Sequence, residues 1–333
     1  MSSPTGPASG LPVRMPRPRQ PGRHRRPEPV VAPVGAPPLV LAVPGSPDGA
    51  TRSLAEEVLS IARSELPGLD ARIGYVDGEG NGDGASEDFP ALEAVLTRAA
   101  QERGERARRA AAAAAAKAKA EAEALGEEVA APAAAAEPAV TDETASAVVV
   151  PLLAGPDNAL LRRIRQAVKH SGSAAELTDV LGPHPLLAEA LHVRLSEASL
   201  ARADRARLFT VATAADGIIL ATVGGAEAAQ AGGITGMLLS ARLAIPVMAA
   251  ALDEDGAVLR VAEQLRSAGS TRLALAPYLI GPEVAADLPA AAAEEAECAA
   301  AEPLGAYPAV GKLVLAKYAT VLGIKLQPNP AMH

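Results

Sequence analysis

Two stretches of this chain repeat one another in order, and that repeat limits the possible folds more than any other feature. Pro151-Leu152-Leu153-Ala154-Gly155-Pro156 matches Pro277-Tyr278-Leu279-Ile280-Gly281-Pro282 at an offset of 126 (277 − 151). Leu181-Gly182-Pro183-His184-Pro185 matches Leu304-Gly305-Ala306-Tyr307-Pro308 at an offset of 123 (304 − 181). Upstream, Leu59, Ala62, Arg63 and Pro67 match Leu238, Ala241, Arg242 and Pro246 at an offset of 179 (238 − 59). The fall from 179 to 126 is 53 residues, close to the length of an Ala-rich stretch that only the first copy carries. A chain that repeats itself in this way builds the same supersecondary unit twice.

Each copy reads as strand, Gly loop, helix, strand, helix, strand, Gly-Pro loop and helix, then Leu-Gly-x-(His/Tyr)-Pro and a last helix. Leu39-Val40-Leu41-Ala42-Val43 is a short apolar run ended by Pro44-Gly45-Ser46, as in a buried strand feeding a loop. The next helix is expected to be capped by Thr51 or Ser53, to present Leu54, Val58, Ile61, Ala62 and Leu66, and to stop at Pro67-Gly68. Strands are expected at Ala71–Val76 and Ala147–Leu153, with a helix from Gly155-Pro156. Strand–helix alternation of this kind predicts an α/β fold: two similar lobes, each a mainly parallel sheet of about four strands flanked by helices. The functional loops then lie beyond the carboxyl ends of the strands, and the cleft between the lobes is the expected ligand site.

The lobes are expected at 39–200 and 201–325, with a flexible end at 326–333. Residues 1–38 hold 11 of the 29 prolines and six arginines against one acid, too little apolar area to offset chain ordering, so they read as a disordered tail. The insertion at about 99–145 reads as a solvent-exposed helix over 100–125, then a linker, because its Ala, Arg, Lys and Glu favour helix without a stripe of large apolar residues.

Composition removes several function classes. Aromatics are 2% of the chain, with no Trp, so no stacking surface for nucleic acid is expected. One cysteine, Cys298, excludes an intrachain disulfide framework and a multi-Cys metal site, and fits a cytoplasmic setting. No run of about 18 uncharged apolar residues predicts a membrane span, and no apolar segment of a signal peptide follows the N-terminal charges.

The strand ending in Gly45-Ser46, the Val148-Val149-Val150-Pro151-Leu152 strand and above all Leu181-Gly182-Pro183-His184-Pro185-Leu186-Leu187-Ala188-Glu189-Ala190-Leu191 resemble the CbiX/SirB class II chelatases. That family inserts cobalt or iron into sirohydrochlorin, a tetrapyrrole of cobalamin and sirohaem synthesis. The resemblance covers roughly 39–98 and 147–325. It implies a tetrapyrrole in the inter-lobe cleft, divalent cobalt or iron as substrate if the protein is active, and a monomer, because the tandem lobes make within one chain the pairing that a single-lobed relative makes by dimerising.

The catalytic pattern departs from the family at both histidines. The position of the first is Pro44, and aligning from Pro151 puts the second at Ala159. Metal insertion needs a base for the pyrrole protons and a ligand that delivers the metal, and neither Pro nor Ala supplies either. The second copy offers only Val223-Gly224-Gly225 and Glu283-Val284 at the matching loops. Among the five histidines, His24 and His333 lie in the ends, while His170 reads as a helix C-terminal residue and His192 as a surface or packing residue. His184, in the Leu-Gly-Pro-His-Pro loop, joins Gly45, Ser46, Asp48 and Asn158 as candidates to line the cleft. Gly45 to Gly49 also has the form of an anion-binding helix start, although it lacks a P-loop lysine. Asp77 to Asp88 fits a calcium loop poorly and reads as a solvated loop. The expected protein is therefore a catalytically degenerate chelatase-like one, with a non-catalytic ligand- or protein-binding module on the same scaffold as the alternative.

Overall fold

Leu39, Val40, Leu41, Ala42 and Val43 are all fully buried, as a strand covered on both faces requires. They form β1 (Leu39–Val43), which pairs in parallel with β2 (Ala71–Tyr75) and β3 (Val148–Pro151), while β4 (Glu176–Leu177) pairs with β3. The computed structural model describes residues 30–78, 88–125, 145–201 and 215–326. The second half repeats the first: β5 (Gly217–Thr222) lies between β6 (Val247–Ala251) and β7 (Leu273–Pro277), and β8 (Ala299–Ala300) adds to β7. The orders β2-β1-β3-β4 and β6-β5-β7-β8 are the same, and all pairings are parallel. The fold is therefore two α/β lobes, as the repeat predicts.

The repeat holds at the level of single bonds. Pro151 pairs with Ala42 and Pro277 with Ala221, so the two prolines end equivalent strands. Leu181 and Gly182 donate their N–H groups to the Leu153 and Ala154 carbonyls, and Leu304 and Gly305 do the same to Leu279 and Ile280. The upstream match needs a correction. Leu59 is buried in α1 (Gly49–Glu65), but its partner by identity, Leu238, is 37% exposed on α5 (Gly225–Leu243). The buried positions Thr51, Ala55, Val58, Leu59 and Ala62 line up instead with Ala228, Gly232, Thr235, Gly236 and Leu239, an offset of 177 (228 − 51). Burial is what the two helices share at 177, while the strands before them, at Ala42 and Ala221, and the loop glycines Gly45 and Gly224 keep the offset of 179.

Three boundaries also move. Asp48, not Thr51 or Ser53, caps α1: its carboxylate accepts from the Thr51 N–H and hydroxyl, both at 2.7 Å. The chain joins the fold before residue 38, because the Ala32 N–H donates to the Pro67 carbonyl and Val30 packs against the core. The earlier part of the tail lies outside the described residues. The insertion does not begin a new helix; it prolongs α2 (Leu92–Leu125). Leu92, Val95, Leu96 and Ala99 pack beneath sheet one, and every residue from Arg108 to Ala120 is exposed. The linker expected to follow, from 126 to 144, lies outside the described residues.

The last helix of each half sits on the other half. α8 (Pro308–Val321) packs along α1 and over β3, while α4 (Pro185–Glu197) packs along α5 and over β7. α8 buries Ala309, Val310, Gly311, Leu313, Val314, Leu315, Tyr318 and Ala319, more than one helix face holds. Tyr318 also donates its hydroxyl to the Pro37 carbonyl at 2.8 Å. The inward residues of both sheets, Leu39, Leu41 and Val43 with Ile218 and Leu220, thus share one core with these helices. The outer faces are separate: α2 and α3 (Asn158–His170) cover sheet one, and α6 (Ala257–Ser267) and α7 (Leu288–Glu295) cover sheet two. The division at residue 200 therefore separates the sequence copies but not the packed units.

At Gly311 the exchanged helix touches α1 so closely that a Cβ would lie 2.6 Å from the Ile61 side chain and 2.9 Å from the Val58 carbonyl oxygen. Gly311→Leu is expected to cost about 1–3 kcal/mol by overpacking. Gly104→Ala, at a half-buried position of α2 where an added Cβ meets nothing within 4 Å, should instead add up to about 1 kcal/mol of helix propensity. Urea unfolding of the two variants measures both; a neutral Gly311→Leu would contradict the exchange.

Candidate functional site

The loops beyond the strand ends of the two lobes meet, as the fold class predicts, and they meet reciprocally. Gly45, after β1, lies against Pro282 after β7: a Cβ on Gly45 would run into the Pro282 carbonyl oxygen. Gly224, after β5, lies against Pro156 after β3, with 2.8 Å to that carbonyl oxygen. Both glycines have positive φ, +81° and +111°. Backbone conformation and close approach together require glycine at these two points. Between the loops remains a space of about 10 Å3, lined by Gly155, Asp157, Thr222, Tyr278 and Glu283 among others. That is about the room one water molecule needs.

Asp157 and Glu283 occupy equivalent places, each just after a Gly-Pro pair, 126 residues apart (283 − 157). Asp157 is buried and caps α3, accepting from the Ala159 and Leu160 N–H groups at 2.8 and 2.9 Å. Glu283 accepts from the Ile280 and Gly281 N–H groups at 2.8 and 2.6 Å. Burial pushes its carboxyl above the ordinary value, against those bonds and the backbone of Ala154 in the first lobe. Tyr278, 3% exposed, buries its hydroxyl beside Gly182 and near Thr235; burial pushes it up to about 12, against the pull of the Thr235 hydroxyl. Two carboxyl groups held by their own backbone and a tyrosine border this space, which has room for one water-sized polar molecule. Among the described residues, no group of three His, Cys, Asp or Glu is placed to hold a metal ion.

The sequence candidates divide. Pro44 is buried and Gly45 seals the contact with the second lobe. Ser46 is exposed, and its carbonyl accepts from the Thr51 hydroxyl at 3.3 Å. Asp48 is consumed as the cap of α1, so the helix start presents the Thr51 N–H to the chain's own carboxylate. The start of α5 is likewise taken by Asp253, which accepts from Gly224 and Gly225 at 3.1 Å. Asn158 donates to Glu227 of α5 and so latches the lobes together. Ala159 sits exposed in the first turn of α3. His184 does not line the small space; it caps α4 through Nδ1, which accepts from the Leu186 N–H at 3.1 Å, and it lines a separate groove. His170 ends α3, and His192 accepts from Arg242 of α5 at 3.1 Å, a packing role. His24, His333 and most of the Asp77–Asp88 stretch lie outside the described residues; Asp77 itself accepts from Arg163. From the sequence, Glu283 is named at the matching loop and Tyr278 in the repeat without either becoming a site candidate, although Gly-Pro followed by an acid in both copies is a visible signal.

Fold and site define a class: a tandem two-lobed α/β protein with exchanged last helices and a narrow acidic mouth between its loops. No protein-family model matches the chain, and no curated protein matches it. Solved structures to which the chain is similar include the following two. One is CbiX, described as the terminal enzyme for biosynthesis of siroheme in denitrifying bacteria, at 14% identity and a TM-score of 0.46, over 85% of this chain and 98% of that one. The other is a multi-domain protein of Deinococcus radiodurans, described as structurally similar to chelatases with two additional novel domains, at 17% identity and a TM-score of 0.47. That match covers 85% of this chain and 55% of the other, so this chain spans about half its length. No helix among the described residues is long and apolar enough to cross a membrane.

The raised Glu283 carboxyl has a defined pH signature. A folded-state pKa above the ordinary value of 4.5 means that the folded protein holds this proton more tightly than the unfolded chain. The resulting stability is complete below the ordinary value and is lost as pH rises through the raised one. Glu283→Gln should remove that slope, gaining on the wild type as pH rises from about 4.5. Urea midpoints measured across pH test this, and parallel curves would contradict it.

Proposed function

We propose that this protein is a chelatase-like scaffold of the sirohydrochlorin type that no longer inserts metal. The repeat and the Leu-Gly-Pro-His-Pro stretch support the scaffold. The observation that carries the loss of activity is the chemistry of the mouth. Buried Pro44 and exposed Ala159 stand where the resemblance puts two imidazoles, and neither takes a proton or binds a metal. Glu283 and Asp157 do not replace them, because backbone N–H groups already engage both carboxylates. Loss of a general base alone removes on the order of 10²–10⁴ in rate, and here the metal ligand goes with it.

A tetrapyrrole is the ligand that the resemblance proposes for the mouth, with cobalt or iron as the second substrate of an active relative. To admit the ring, Gly45 must part from Pro282 and Gly224 from Pro156. The pairing of two lobes inside one chain supports a monomer. The alternative, a non-catalytic small-ligand module, is favoured by the groove at His184 taken up below.

Incubating the purified protein with sirohydrochlorin and Co2+ or Fe2+, and following the absorbance of the ring, tests the proposal. The expected insertion rate equals that without protein. A rate comparable to that of a histidine-containing relative would overturn the proposal.

A further inference from the structure

A second space lies away from the mouth and does not depend on the chelatase reading. A groove of about 470 Å3 runs between the stretch from β4 to the start of α4 and one face of the exchanged helix α8. Its volume is in the range of small-molecule sites. His184 and Thr178 line it from the first lobe, Lys317 and Thr320 from α8, and the exposed acids Glu176 and Asp179 stand at its rim.

The pseudo-twofold provides the comparison. Arg194 on α4 is the counterpart of Lys317 on α8, 123 residues earlier (317 − 194). Arg194 fills its own side: Nη2 donates to the Leu304 carbonyl at 2.9 Å and Nη1 to Glu197 at 3.0 Å. It also lies so close to Gly305 that a Cβ there would be 2.9 Å from Nη2. Lys317, half-buried in the same place, makes no hydrogen bond or ion pair among the described residues. One groove is thus occupied by the chain's own cation, and the other keeps a cation with no partner.

His184 adds a second donor. Its Nδ1 accepts from the Leu186 N–H, so the neutral ring carries its proton on Nε2. Burial, then the nearby Lys317 charge, lowers the ring's pKa and favours this neutral form. An ammonium and an imidazole N–H lining one groove suit an oxyanion. The rim acids disfavour a bare dianion and suit a ligand that also carries a hydrogen-bond donor.

We propose that this groove binds a small organic acid, with Lys317 Nζ and His184 Nε2–H taking its carboxylate or phosphate. The test uses the full chain with 15N-labelled histidine, at a pH where imidazole is neutral. His184→Asn, which keeps a capping side chain, identifies the His184 signal. Inorganic phosphate and lactate, a hydroxyl-bearing monocarboxylate, are titrated separately. A saturable shift of His184 with either, while His170 and His192 stay still, is the expected result; which of the two acts tells a phosphate site from a carboxylate site. Lys317→Gln should weaken binding roughly tenfold, about 1.4 kcal/mol, and Lys317→Arg should retain it, which separates lost charge from lost folding. The absence of a saturable shift with both anions, equal shifts at His170, His184 and His192, or an unchanged titration in Lys317→Gln would overturn the proposal.

Discussion

Each lobe is closed by a helix that the other half of the chain supplies. α8 covers β3 and lies along α1, and α4 covers β7 and lies along α5. Without α8, the inward side chains of β1 and β3 would face water; burying such residues is worth roughly 1.5–3 kcal/mol for each large aliphatic side chain. Neither sequence copy can therefore complete its own core. Gly311 permits the close approach to Ile61 and Val58, Lys312 reaches Glu65 at 3.6 Å, and Tyr318 reaches Pro37, so the contact is apolar at the centre and polar at its edges.

This exchange also fixes the distance between the strand-end loops. The lobes are held so that Gly45 meets Pro282 and Gly224 meets Pro156, and Asn158 and Glu227 latch the same edge. The mouth is left with space for a water-sized molecule and with carboxylates that cap their own backbone. Its chemistry is that of a lobe contact more than of an open reaction cleft. The groove at His184 differs, because the two halves are not identical there: one exchanged helix carries an arginine that fills the site, the other a lysine that does not.

Much of the fold was legible because it rests on short apolar runs and punctuation. Leu39–Val43 reads as a buried strand and Ala147–Leu153 as another, Pro185 and Pro308 mark the starts of the last helices, and the Gly-Pro loops mark the strand ends. The exchange was not legible. The apolar positions of α8 tell that the helix is buried, but nothing in their spacing tells on which lobe. The match of Leu59 with Leu238 misled because identity at the surface carries no packing information. At the site, attention to missing imidazoles drew the reading to Pro44 and Ala159 and away from Glu283, whose carboxyl is perturbed by burial, an effect of packing that sequence does not display. His184 stands out in the sequence by its loop, but its ring is oriented by the Leu186 N–H, a bond visible only once the helix start is built.

The dependence of each lobe on the other's helix is tested most directly by differential scanning calorimetry of the full chain. Lobes that share one core unfold together, so the account predicts a single transition whose calorimetric and van't Hoff enthalpies agree. Two resolved transitions, one for each half of the sequence, would contradict it.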